Sequence, residues 1–192
     1  RSVGLRALHL DEGDVLVGTA VTKGDCDVML FSSEGKAVRF RETDVRAMGR
    51  TARGIRGIRL GDGHSMISLI IPHASGMVLT VSENGYGKRT RLEEFPTKGR
   101  GGKGMIAMST SARNGTMVGA VQVFDGDELM LISNQGTLVR TRTDEVSILG
   151  RNTQGVRVIA IKEGESLVGV QRIDEPAAEP VAENETDEGV AD

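Results

Sequence analysis

Three stretches of this chain superpose without a gap: "DVMLFSSEGKAVRFRETDVRAMGR" at 27–50, "MVLTVSENGYGKRTRLEEFPTKGR" at 77–100 and "ELMLISNQGTLVRTRTDEVSILGR" at 128–151. Gly35, Gly85 and Gly136 hold the same place in each, at spacings of 50 and 51 residues. A second block recurs at that period, as "GLRALHL", "GIRGIRL", "GMIAMST" and "GVRVIAI" beginning at Gly4, Gly54, Gly104 and Gly155. A fixed period of this length means that one supersecondary unit repeats and that stacked neighbours complete a core no single unit can bury. The chain therefore reads as three full units, 25–74, 76–124 and 126–173, preceded by the second half of another over 1–24, all within one domain over 1–173. The array is expected to start part-way along, with further units upstream.

Each unit reads as β structure. An apolar run such as 28–31 leads into a turn rich in Ser, Glu, Asn and Gly, then into a segment of alternating character, the pattern of a hairpin. Two more short strands follow, "GIRGIRL" and, after the turn "GDG", "SMISLII", with parallels in "DVLVGTAV", "TMVGAVQV" and "SLVGVQRI". Four short strands in about 50 residues is the period of a propeller-type blade. No stretch has a helical period. The fold class is thus all-β, a partial array of four-stranded blades. Composition fits, since aromatics are only 3% and Trp is absent, so Val, Ile, Leu, Met and Ala must build the core, while 26 glycines supply tight turns.

The net charge of −3 conceals two opposite parts. From Asp174 onward the chain carries eight acids and no base, so the preceding residues hold all 24 lysines and arginines against 19 acids. Low hydrophobicity and dense like charge make 174–192 an expected disordered acidic tail, either solubilising or competing with an anion for the basic body. Within the body, alternation along a strand points Val38 and Phe40 one way and Arg39 and Arg41 the other. The pair recurs as Arg89 and Arg91, then as Arg140 and Arg142. Each pair is read as facing solvent, either as ordinary outer-strand charge that discourages edge pairing or as a continuous basic stripe. Linking loops behind the pairs add Arg46, Arg50, Arg53 and Arg56, then Lys98, Arg100 and Lys103, then Arg151 and Arg157.

A positive track repeated along a curved array suits an evenly charged polyanion, and duplex nucleic acid is the foremost candidate. Stacking platforms for unpaired bases need aromatics, and Tyr86 is the only Tyr. No recognition helix or zinc-finger spacing offers groove reading. What remains is sequence-independent backbone contact, with Arg and Lys on phosphates and glycine amides free to approach them. The expected DNA-binding set is Arg39, Arg41, Arg46, Arg50, Arg53, Arg89, Arg91, Lys98, Arg100, Lys103, Arg140, Arg142 and Arg151.

Other chemistry finds little support. "GRGGKG" at 99–104 follows Lys103 with Gly rather than Ser or Thr, so it departs from the phosphate-loop pattern. His9, His64 and His73 are scattered, no catalytic set has context, and no metal site is expected. The single Cys26 can form no internal disulfide, no apolar run approaches the ~20 residues of a membrane span, and the N-terminus does not read as a signal peptide, so a reducing cytoplasmic setting is expected.

"VRAMGRTARGIRGIRL", "NGYGKRT" and "GTLVRTRTDEVSILGRNTQGVRVI" closely resemble the C-terminal domain of bacterial DNA gyrase A. The resemblance implies a β-pinwheel, a propeller-like disc whose blades exchange strands, and a role in wrapping duplex DNA around a positive rim so that an ATP-driven holoenzyme introduces negative supercoils. It implies as partners the rest of gyrase A and gyrase B in an A2B2 assembly associated with the bacterial chromosome. It further implies that the catalytic tyrosine lies in another domain, which leaves Tyr86 a turn residue, and that ATP and Mg2+ act elsewhere, with no cofactor in this domain. The family's box, Gln-Arg-Arg-Gly-Gly-Lys-Gly, is matched from Arg100 through Gly104 but departs at Lys98 and Gly99, so 98–104 reads as a box-like loop of a later blade, with the box itself expected upstream. The corresponding C-terminal domain of topoisomerase IV and a propeller-type protein-interaction scaffold are the alternatives.

Overall fold

The computed structural model describes residues 4–173; the expected acidic tail, 174–192, lies outside them. Among the described residues there are eleven strands, three single 3₁₀ turns and no α-helix. Three hairpins and their inner partners set the pattern. Strands β1 (Asp27–Ser32) and β2 (Lys36–Arg41) form the first hairpin, β3 (Met66–Ile70) pairs with β1, and β4 (Met77–Ser82) and β5 (Tyr86–Arg91) form the second hairpin. Next come β6 (Met105–Ile106), β7 (Met117–Val123), the third hairpin of β8 (Glu128–Ser133) and β9 (Leu138–Arg142), then β10 (Val156–Arg157) and β11 (Leu167–Ile173).

Sequence unit and blade do not coincide. The sheets run β3-β1-β2-β6, β10-β5-β4-β7 and β11-β8-β9. Thus β6 leaves the second unit to pair with β2 of the first, at Lys36 with Ile106 and Ala37 with Met105, while β10 leaves the third unit to pair with β5 of the second. All these pairings are antiparallel. Two blades are four-stranded as expected; the third has three strands among the described residues. The stretches "GLRALHL", "DVLVGTAV" and "GIRGIRL", read as strands in the sequence, form none among the described residues.

Strands β3, β7 and β11 pack successively on one another, which places them at the hub and leaves β6, β10 and β9 at the rim. The core lies between blades. Met29, Phe31, Ala37 and Ile70 of the first blade pack on Val78, Leu92, Phe95, Met117 and Ala120 of the second. Leu79, Val81 and Val123 of the second pack on Leu129, Leu131, Val146 and Leu167 of the third. Aliphatic residues and methionines fill both junctions, and Phe31 and Phe95 meet edge-on in the first.

The glycine before each exchanged strand is fixed by sterics. Gly104 and Gly155 sit at φ +79 and +81, and a Cβ there would lie 2.5 Å from the Ala37 carbonyl oxygen and 2.6 Å from that of Gly87. Only glycine combines the left-handed backbone with such close passage over the preceding blade.

Candidate nucleic-acid interface

The linking loops run along the outer edges of β2 and β5 and interlock. Lys98 N donates to the Arg39 carbonyl at 2.7 Å, and the corresponding Leu149 N donates to the Arg89 carbonyl at 2.9 Å. Gly101 N reaches Gly57 O, and Arg59 N reaches Gly102 O at 2.8 Å, so the box-like loop lies on the loop of the unit before it. Its arginine completes the lock: Arg100 Nε donates to Asp44 O at 2.9 Å and Nη1 to Arg56 O at 3.2 Å. One repeat later Arg151 Nη1 donates to Ile106 O at 2.7 Å, the same repeat position as Arg56.

The paired arginines require a correction. Alternation holds, but the face bearing Arg39 also bears Met29, Phe31 and Ala37, and it packs on the next blade rather than facing solvent. Arg39 Nε pairs with Asp27 at 2.8 Å, while Nη1 donates to the carbonyls of Leu92 and Phe95 at 3.2 and 3.0 Å. Arg89 is buried and donates from Nε to Val146 O at 2.8 Å, with Asp125 3.6 Å from its Nη1. The expected solvent stripe through Arg39 and Arg89 is therefore a set of junction clamps. The second blade packs on a neighbour at each face, so there strand alternation separates two junctions, not core from water. Arg140, at the same repeat position in the third blade, is exposed and pairs with Glu128.

The second member of each pair stays outside. Arg41 bonds Asp27 at 3.2 Å and Asp25 O at 2.9 Å, Arg142 bonds Asp144 at 3.0 Å, and Arg91 is exposed with no carboxylate partner among the described residues. Burial would raise the Asp27 carboxyl, but donors from Arg39, Thr97 and Arg41 outweigh it and hold it below the usual carboxylate range. In the loops, Arg46, Arg50, Lys98 and Lys103 are exposed with no ion pair among the described residues, whereas Arg53 pairs with Asp11 at 2.9 Å. Lys36 and Arg59 join Lys103 and Glu34 around a shallow recess at the same rim. The sequence gives no signal for these two, because neither recurs in the other units.

One buried cation was not anticipated at all. Lys88 has no exposed surface, and its ammonium donates to the carbonyls of Gly150, Arg151 and Thr153 at 2.7, 2.6 and 2.9 Å. Burial lowers its pKa to about 8, with Glu94 opposing the shift and Arg151 adding to it. Val38 and Val139 hold the same repeat position in the other blades. Tyr86 likewise is not a turn residue but the first residue of β5, buried and covered by two arginines. Among the described residues no group of three or more His, Cys, Asp or Glu is placed to hold a metal ion, and no helix is long and apolar enough to cross a membrane.

Comparison with known proteins agrees with this geometry. The family described as "DNA gyrase C-terminal domain, beta-propeller" matches residues 1–23, 27–72, 76–123 and 127–174. The A subunit of DNA gyrase from Pseudomonas aeruginosa is 59% identical over 177 residues, which cover 92% of this chain and 19% of that protein. Its counterpart from Escherichia coli strain K12 is 54% identical over 187 residues, covering 97% of this chain and 21% of the relative. The chain thus spans about a fifth of the length of these relatives. Among solved structures, a DNA gyrase A C-terminal domain superposes with a TM-score of 0.81 at 28% identity, covering 89% of this chain and 58% of that one. The C-terminal domain of DNA topoisomerase IV superposes with a TM-score of 0.82 at 22% identity, covering 88% and 53%, a likeness of fold. With strand-exchanged blades, interlocked rim loops and a family match through all its repeats, the chain belongs to the DNA gyrase C-terminal domain family.

Proposed function

We propose that this chain is a non-catalytic DNA-wrapping module of a type II topoisomerase, bending duplex DNA along its rim through sequence-independent backbone contacts. The observation that carries the reading is a set of exposed cations with no carboxylate partner among the described residues, Arg46, Arg50, Lys98 and Lys103 in the rim loops and Arg91 at the end of β5. Unpaired surface charge is repelled by its like neighbours, and a polyanion relieves that repulsion while releasing its own counterions. Arg41, Arg53, Arg140 and Arg142 sit beside carboxylates and would exchange these for phosphates. Arg100 and Arg151 spend part of their donors on the loops and offer the rest. Arg39 and Arg89 hold the blades together and contribute no phosphate contact.

In this reading the domain needs no cofactor. The wrapped segment is presented to the rest of gyrase A and to gyrase B, in an A2B2 holoenzyme of the bacterial cytoplasm whose ATP and Mg2+ act elsewhere, and negative supercoils result. Tyr86, enclosed by arginines, is not a nucleophile for DNA breakage. Affinity for plain duplex measured from 50 to 300 mM salt tests the proposal: log K should fall linearly with log salt, by about 0.9 per phosphate neutralised. A salt-independent affinity, or none at 50 mM, would contradict it.

A further inference from the structure

Tyr86 draws two cations from separate segments to one oxygen. Arg113 Nε donates to the phenolic oxygen at 3.3 Å and Arg157 Nη2 at 3.4 Å, and their guanidinium carbons lie 5.1 and 5.7 Å from the ring centroid. Arg157 lies on the rim strand β10, in register with Tyr86 of β5. Arg113 comes from the loop before β7, where Gly115 follows Gly104 by eleven positions, against nine from Gly54 to Gly63 and from Gly155 to Gly164. The second blade therefore carries a loop extension that delivers a cation to this place.

Both arginines are exposed, and among the described residues neither has a carboxylate within ion-pair distance. Two like charges converge on a neutral acceptor, an arrangement that leaves positive charge uncompensated. Each guanidinium has five N–H donors, of which one is used here. The phenolic oxygen accepts twice, so its own proton is left to donate elsewhere. Three donor groups thus share one spot with donors to spare beyond the one oxygen between them.

We propose that Arg113, Arg157 and the Tyr86 hydroxyl form an anion station on the second blade that takes one backbone phosphate of duplex DNA. The inference rests on the DNA-wrapping reading for its ligand, but the station's chemistry is independent of it. The planar guanidinium forks suit a phosphate oxygen pair, and the tyrosine ring holds both forks before the phosphate arrives. A phosphate then replaces repulsion between the two cations with charge-assisted hydrogen bonds.

The test uses the full chain in two measurements. In the first, a fluorescein-labelled 40-base-pair duplex is titrated by anisotropy at several salt concentrations. Arg113→Gln with Arg157→Gln should weaken binding about tenfold at low salt and reduce the log-log salt slope by about 0.9, the signature of one lost phosphate contact. Tyr86→Phe keeps both charges and should weaken binding a few-fold with the slope unchanged. Thermal melting of each variant separates loss of contact from loss of fold, since a merely structural role would not move the salt slope.

In the second measurement the sole tyrosine reports on the station without DNA, through its ultraviolet ionisation curve in sodium sulfate against sodium chloride at equal ionic strength. Sulfate should raise the midpoint in the wild-type chain and leave the double glutamine variant unmoved. Failure of the wild-type chain to bind duplex, with the sulfate effect present, would sink the DNA-wrapping reading and leave an anion station. Duplex binding with an unchanged slope in the double variant and no sulfate effect would overturn the station itself.

Discussion

The guanidinium of Arg39 crosses a blade junction to donate to the carbonyl of Phe95 at 3.0 Å. One repeat on, Arg89 makes the same bond to Val146 at 2.8 Å. Replacing either by Ala strips a partly or fully buried carbonyl of its donor. An unsatisfied buried acceptor costs about 1–3 kcal/mol, so Arg89→Ala should lower stability by about 2 kcal/mol in urea unfolding, with Arg39→Ala close behind. Arg140→Ala, at the same repeat position but exposed beside Glu128, should change stability by less than about 1 kcal/mol. Equal losses at Arg89 and Arg140 would remove the junction role.

Asp27 ties the first blade to the second through Thr97 and Arg39, and holds Arg41 within its own blade. Its folded-state pKa is lowered, so the unfolded chain binds the proton first as acid is added. The stabilisation is fully present above the unfolded value of about 3.9 and is lost as pH falls through the folded one. Asp27→Asn should consequently flatten the acid limb of the melting-temperature profile below about pH 4, while lowering the plateau at pH 7. An unchanged acid limb would mean that the three donors do not act on this carboxylate.

Lys88 is a cation enclosed by carbonyls. Lys88→Met leaves three carbonyls without their donor and should cost about 3 kcal/mol, although valine serves at the matching positions 38 and 139. The pH dependence has a definite sign. With the folded pKa near 8 against an ordinary 10.5, the unfolded chain holds the proton through that window and the folded chain does not. The penalty for burying the charge is full below about 8 and relieved as pH rises towards 10.5. The stability difference between the wild-type and methionine chains should thus increase with pH across that interval; a decrease would reverse the assigned shift.

The repeat made the fold legible, because Gly35, Gly85 and Gly136 mark hairpin turns and Gly104 and Gly155 mark the strands that follow. Strand exchange left no mark in residue spacing: β6 and β10 are two residues long and pair with hairpins of the preceding unit. The rim cations were legible in type. Their separation into Arg39 and Arg89 at junctions and Lys98 and Lys103 at the surface was not, because alternation does not reveal which strand faces pack on a neighbouring blade. Arg113 escaped notice for the opposite reason, since it sits where the second unit departs from the repeat.

Wrapping is tested most directly by topology. Relaxed circular DNA is treated with a type I topoisomerase in the presence of the chain, then stripped of protein and resolved by electrophoresis. A basic rim that bends duplex along its loops predicts a shift in mean linking number that grows with protein and disappears in the Arg46→Gln, Arg50→Gln, Lys98→Gln, Lys103→Gln variant. Unshifted topoisomers under conditions where the duplex is bound would contradict the account.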